Sequence, residues 1–312
     1  MTHAGLKREM ESALSTHELT KVYRLPRGGR KTAVDSLTLD VRPGEILGFL
    51  GPNGAGKTTT IKMLLGFIRP TSGCAEILGR PVDHPEARRS VGYLPEQPYF
   101  HKFMTPFEIV SMHAALVGIP KRGRKDEVAR LVEMVGLQEQ AHVPVSKLSK
   151  GQVQRIGLAQ ALVGDPELLI LDEPASGLDP LGRRQVRDLL SHERDLGRTI
   201  FLSSHLLSEI ETVCDRVAVL ARGKLIAIGP PEEVKAHGSQ TRVTAGRLDS
   251  ETRSRLSEIG AAAHDSEGET VITVNSSELY EVIDLLRETG VPLVSVAPER
   301  ESLEEAFLRL AA

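Results

Sequence analysis

Gly51-Pro52-Asn53-Gly54-Ala55-Gly56-Lys57-Thr58 stands between an apolar run, Glu45 to Leu50, and a helical pattern from Thr58 to Phe67. The stretch matches GxxxxGK[ST], a pattern that turns up by chance in a chain of this length with odds on the order of one per cent. A strand, a glycine-rich turn and a helix start in that order let consecutive backbone N–H groups converge on a phosphate at the positive end of the helix. Lys57 would meet the terminal phosphates, Thr58 would ligate Mg²⁺, and Thr59 continues the same surface.

Working outward, a second cluster lies at Leu168-Leu169-Ile170-Leu171-Asp172-Glu173-Pro174. Four apolar residues ending in adjacent carboxylates read as a buried strand with acid at its carboxyl end. There Asp172 can hold the Mg²⁺ shell while Glu173 reaches a water attacking the last phosphate. Alone such a pair is often a solvated turn; the upstream phosphate loop gives it a partner.

The rest of the first 238 residues alternates apolar strands with longer helical patterns, which suggests α/β architecture. Leu37, Leu39 and Val41 alternate with Thr38 and Asp40, as in a half-buried antiparallel strand. Ile46 to Leu50, Leu168 to Leu171 and Thr199 to Leu202 are continuous apolar runs that look covered on both faces, so a mixed sheet is expected. Between Thr105 and about Val163 strand signals vanish. Thr105-Pro106-Phe107-Glu108 is a capping box opening a helix that should end near Gly118, and Val128, Leu131, Val132 and Val135 repeat at helical spacing. This reads as a helical subdomain over residues 105–163, inserted into the α/β body.

Gly229-Pro230-Pro231 and Ala236-His237-Gly238-Ser239 mark a boundary. The expected domains are residues 1–238 and a small α+β module over residues 239–312. The module has 7 basic and 14 acidic residues, a net charge of −7, against +4 for the first 238 residues. Val271 to Val274 and Val291 to Val296 look like strands, Leu279 to Leu286 and Leu303 to Leu310 like helices.

The whole chain of 312 residues has a net charge of −3, too little field to hold a polyanion. Two basic clusters, Arg24, Arg27, Arg30 and Lys31, then Lys121, Arg122, Arg124 and Lys125, have no interleaved aromatics and read as solvated loops, so no nucleic-acid partner is expected. Cys74 and Cys214 match no disulfide or zinc framework and are expected to be small buried apolar residues. The longest apolar uncharged run, Ile109 to Pro120, is well short of the roughly 20 residues of a spanning helix. With Lys7, Arg8, Glu9 and Glu11 near its start, the N-terminus does not read as a secretory signal, and a cytoplasmic location is expected.

A third element gives the family resemblance. Leu148-Ser149-Lys150-Gly151-Gln152, about twenty residues before Asp172, closely resembles the ABC ATPase signature, usually LSGGQ, with Lys150 at its most variable place. Alone Ser149 would be a plain helix cap. Ser176-Gly177-Leu178-Asp179 resembles the D-loop that joins two subunits, His205 resembles the switch histidine, and Tyr23 resembles the aromatic that stacks on adenine. In Val91-Gly92-Tyr93-Leu94-Pro95-Glu96-Gln97 the family normally has Gln where this chain has Glu96, with Gln97 one place later; either could reach Mg²⁺.

The resemblance implies a P-loop NTPase of the ABC ATPase type that binds ATP and Mg²⁺. It implies catalytic roles for Glu173, His205 and Lys57, and metal contacts from Thr58, Asp172 and either Glu96 or Gln97. It also implies a head-to-tail dimer, with ATP between the phosphate loop of one copy and Ser149, Gly151, Gln152 and Asp179 of the other. Such subunits drive a separate membrane permease from the cytoplasmic face of the membrane. Tyr-Leu-Pro-Glu at residues 93–96 and the ending Ser302-Leu303-Glu304-Glu305-Ala306-Phe307 resemble the branch that serves type-2 export permeases, for drug, antibiotic, lipid or polysaccharide efflux. The alternatives are an importer ATPase, or a soluble ABC ATPase acting on ribosome or DNA.

Overall fold

The computed structural model describes residues 11–300 except Arg27, His205, Leu206, Ala236 and Glu267, together with Glu305 and Ala306. The chain runs through β1 (Leu14–Arg24), β2 (Arg30–Val41), β3 (Ile46–Leu50), α1 (Lys57–Leu64), β4 (Ser72–Ile77), β5 (Arg80–Pro81) and β6 (Val91–Leu94). Helices α2 (Pro106–Leu116), α3 (Lys121–Met134) and α4 (Lys150–Ala161) follow with no strand between them. Next come β7 (Leu168–Asp172), α5 (Pro180–Asp195), β8 (Thr199–Ser204), α6 (Leu207–Val213), β9 (Arg216–Ala221), β10 (Lys224–Gly229) and α7 (Pro231–Val234).

These strands form two sheets. The half-buried β2 belongs to an antiparallel sheet of order β2-β1-β4-β5, while the continuous apolar runs build a six-stranded sheet of order β10-β9-β3-β8-β7-β6. In the latter β9, β3, β8, β7 and β6 are parallel and only the edge strand β10 is antiparallel. Parallel strands need both faces covered, and every residue of β3, β7 and β8 is buried. One core holds the two sheets together: Leu19 and Leu37 from the first, Phe49, Ile170 and Phe201 from the second, and Ile61, Met63 and Leu64 of α1. The rings of Phe49 and Phe201 pack at 5.1 Å between centroids, tilted 40° to each other.

In the helical insertion, Thr105 Oγ1 accepts the Glu108 N–H and Glu108 accepts the Thr105 N–H at 2.9 Å, so the capping box opens α2 as expected. The α3 pattern is interrupted at Arg122 and Gly123, whose φ of 91° breaks the first turn away from the rest. No helix among the described residues is long and apolar enough to cross a membrane. One expectation is corrected: Cys214 is buried, its thiol pushed up by desolvation, but Cys74 is exposed because it faces outward on β4.

The chain divides into two compact units after Pro231. The second is built from β11 (His237–Ala245), α8 (Ser250–Glu258), β12 (Ala262–Ser266), β13 (Glu269–Asn275), α9 (Leu279–Glu288) and β14 (Leu293–Arg300). It is a β-α-β-β-α-β module whose antiparallel sheet has the order β12-β13-β11-β14. Val243, Ile272 and Val274 meet Leu256, Val282, Leu285 and Leu286 of the two helices in its own core. Strands β11 and β12 and helix α8 go beyond the sequence pattern, whose apolar alternation there is weak. The expected helix from Leu303 to Leu310 lies mostly outside the described residues.

Candidate functional site

A cavity of about 470 Å³ opens where β3 and β7 end at their carboxyl sides. In α/β sheets that edge is where loops can converge on a ligand without disturbing the core. Gly51, Pro52, Asn53, Gly54, Gly56, Lys57, Thr58 and Thr59 form one wall, and Tyr23, Glu96, Asp172 and Glu173 complete it. Two sequence segments more than a hundred residues apart are therefore brought into one site.

Packing against β2 helps to fix the shape of the loop. Gly56, just before α1, has φ 116°, and a Cβ there would lie 2.4 Å from the Ala33 carbonyl oxygen, so no other residue fits. No side chain caps this helix start. Its first N–H groups face the cavity end of the helix, where they and the helix dipole favour an anion. Ala55 is buried, and its N–H donates to the Pro52 carbonyl at 3.0 Å, so it shapes the loop without lining the cavity. Lys57 Nζ donates to the carbonyls of Gly51 and Pro52. Burial lowers its pKa, an effect opposed by the carboxylates of Glu173, Asp172 and Glu96.

Asp172, only 3% exposed, ends β7 and accepts a hydrogen bond from Ser203 Oγ at 2.5 Å on the neighbouring strand. Burial pushes its carboxyl above the usual range and the charge of Glu96 adds to that, while the Ser203 bond, Lys57 and Lys62 pull it back. Glu173 turns the chain with φ 55°, a left-handed conformation that a side chain rarely adopts. Its N–H donates to the Ser203 carbonyl at 3.1 Å, and its carbonyl accepts from Gln154 Nε2 of α4 at 3.1 Å. The strained turn is therefore held on both sides.

Tyr23 enters from β1. Lys21, two residues earlier on the same strand face, places its ammonium 5.3 Å from the Tyr23 ring centroid while donating to the Arg69 carbonyl at 2.6 Å. Lys21 itself does not line the cavity.

Several expected contacts are not brought here. Glu96, in the bend after β6, lines the cavity and its neighbour Gln97 does not. Ser149, Gly151, Gln152 and Asp179 also lie outside its lining. Ser149 and Gln152 complete a capping box at the start of α4, the Ser149 N–H donating to Gln152 Oε1 at 2.9 Å and the Gln152 N–H to Ser149 Oγ at 3.2 Å. Asp179 caps α5 by accepting the Gly182 N–H at 2.8 Å. The two caps are neighbours: a Cβ on Gly151 would meet Leu178 at 3.0 Å. His205 lies outside the described residues.

Lys31, Ala33 and Ser204 also line the cavity. Against the expectation of a solvated loop, Lys31 lies on β2 and pairs directly with Tyr23 of β1. Ser203 and Ser204 had a signal, a polar pair closing an otherwise apolar strand.

The donor set in the cavity is hard oxygen: the Thr58 hydroxyl and the carboxylates of Asp172 and Glu96. Among the described residues no group of three or more His, Cys, Asp or Glu side chains is close enough to cage a metal by itself. That suits Mg²⁺, which is held by one or two carboxylates and completed by substrate phosphates.

The family model described as "ABC transporter" matches residues 34–176. The chain is 37% identical over 301 residues to an uncharacterized ABC transporter ATP-binding protein of Nostoc sp., covering 95% of this chain and 89% of that one. The chain belongs to the ABC transporter ATP-binding proteins. As a member, it is the ATP-binding subunit of an ABC transporter and an ATPase. It is also 39% identical to the bacitracin transport ATP-binding protein of Bacillus licheniformis, over 96% of this chain and 98% of that one. With the Nod factor export ATP-binding protein I of Neorhizobium galegae it shares 36% identity, covering 96% and 84%. Among solved structures, a Clostridium perfringens ABC ATPase that is part of a transporter complex superposes with a TM-score of 0.64 at 30% identity, covering 72% of this chain and 91% of that one. The fold around the cavity is thus that of an ABC ATPase cassette.

Proposed function

We propose that this ABC ATPase powers an export permease carried on a separate chain, working as one of two copies that close on ATP. The observation behind export is that the two relatives named for bacitracin transport and Nod factor export match nearly the whole chain, second unit included. The permease would bring the ATPase to the cytoplasmic face of the membrane.

In this reading Tyr23 stacks on adenine, and the backbone N–H groups of residues 51–59 with the Lys57 ammonium bind the phosphates. Thr58 and Asp172, with Glu96 beside them, are the residues that would hold Mg²⁺. Bound there, the ion neutralises charge on the β and γ phosphates. Glu173 orients a water and accepts its proton as the water attacks, and His205 contributes to the same end by resemblance. Pairing supplies what one copy lacks. Ser149 and Gln152 cap a helix start outside the lining of their own cavity, and the Ser149 hydroxyl, an acceptor in that capping box, can still donate to the nucleotide of the other copy, with Asp179 beside it.

The test is the Glu173→Gln variant, which keeps size and loses the base. It should bind ATP, lower hydrolysis by about a hundredfold or more, and elute as an ATP-dependent dimer. Adding Ser149→Arg should abolish that dimer and spare ATP binding. Normal hydrolysis in Glu173→Gln overturns the base assignment, and a dimer indifferent to Ser149→Arg overturns the shared site. Recovering the protein from native membranes with an importer, or with no membrane subunit, overturns export.

A further inference from the structure

The cavity contains two ammonium groups, Lys31 and Lys57, against three carboxylates, Glu96, Asp172 and Glu173, a net charge of −1 before any anionic ligand arrives. Glu96 is the unusual member. It is exposed, makes no hydrogen bond or ion pair among the described residues, and yet its charge is felt at both Asp172 and Lys57. Asp172 and Glu173 are held by backbone and Ser203, and Lys57 is held by loop carbonyls. Replacing the carboxylate of Glu96 by an amide would leave the cavity neutral.

We propose that Glu96 is a specificity-determining residue that makes nucleotide binding depend on metal, by repelling ATP that arrives without a divalent cation. The inference rests on placing ATP in this cavity. Metal-free ATP carries about four negative charges and its magnesium complex about two, so a fixed negative charge at Glu96 opposes the former roughly twice as strongly. Any direct contact between the Glu96 carboxylate and a nucleotide-bound cation acts in the same direction, since it favours the complex and gives nothing to the free anion. An amide at this position would supply an oxygen ligand without the repulsion, and the discrimination would fall.

The experiment is equilibrium binding of the non-hydrolysable analogue adenylyl imidodiphosphate to the full-length protein by calorimetry, in excess Mg²⁺ and in excess EDTA. The quantity read is the ratio of the two dissociation constants. Glu96→Gln should shrink that ratio at least about threefold, chiefly through tighter metal-free binding, the size expected for one partly solvated charge. Glu139→Gln, which removes a carboxylate that does not line the cavity, should leave it unchanged. A ratio in Glu96→Gln equal to the parent's overturns the proposal. Lys57→Ala separates this from a failure of the site: it should weaken binding in both conditions, and unaltered binding there would mean that the nucleotide sits elsewhere.

Discussion

Two helices of this ATPase begin at sequences suited to anions, and they begin differently. The start of α1 follows Gly56, has no side-chain cap and opens into the cavity. The start of α4 follows Ser149, carries a complete capping box and lies outside the lining of that cavity. A bare helix start leaves N–H groups that a ligand must satisfy, whereas a capped one is stable by itself and can wait for a partner. The first is open to an anion within the single chain, and in the proposed dimer the second would meet the phosphate held by another copy.

The largest effect expected from breaking this contrast is at Gly56. Gly56→Ala forces a Cβ against the Ala33 carbonyl in a left-handed conformation. It should cost about 3 kcal/mol or more and abolish ATP binding, as read by thermal unfolding and calorimetry. Gly54→Ala is the control. Gly54 has φ 82° but open space around it, so only the backbone strain, about 1 kcal/mol, should appear. Equal losses at the two positions would mean that conformation alone, and not the packing of β2 on the loop, dictates the glycine.

A smaller effect of opposite sign is expected at Asp172. Its folded pKa is raised by burial, so the folded state binds the proton more tightly than the unfolded chain. The contribution of Asp172 to stability is thus fullest at low pH and is lost as pH rises through the raised pKa. Asp172→Asn removes the penalty and keeps an acceptor for Ser203. It should abolish hydrolysis, raise stability at neutral pH by about 1 kcal/mol, and lose that advantage as pH falls toward the ordinary carboxylate range. A gain independent of pH would place its origin outside the Asp172 carboxyl.

The smallest effect sharpens the other half of the comparison. Ser149→Ala deletes one cap of α4 and should lower unfolding free energy by about 1 kcal/mol while leaving ATP binding to the single chain unchanged. A loss of single-chain ATP binding would put Ser149 in its own copy's site and remove the contrast.

Much of the site could be read from the chain because each signal is local. A strand, a glycine-rich turn and a helix start occur within twenty residues, so Gly51 to Thr58 declares its chemistry before any folding. The run ending at Asp172 and Glu173 does so too, since a buried strand must end its apolar residues where the polar edge of the sheet begins. Capping is equally local, and Thr105-Glu108 and Ser149-Gln152 close over three residues each. Only the tertiary structure decided the rest, because those facts depend on distance across the fold. Among them are Ser203 beside Asp172, Lys31 opposite Tyr23, Lys21 over that ring, and Glu96 rather than Gln97 in the cavity. Gly56 belongs to both lists: the motif names it, but the Ala33 carbonyl on another strand is what forbids every larger residue.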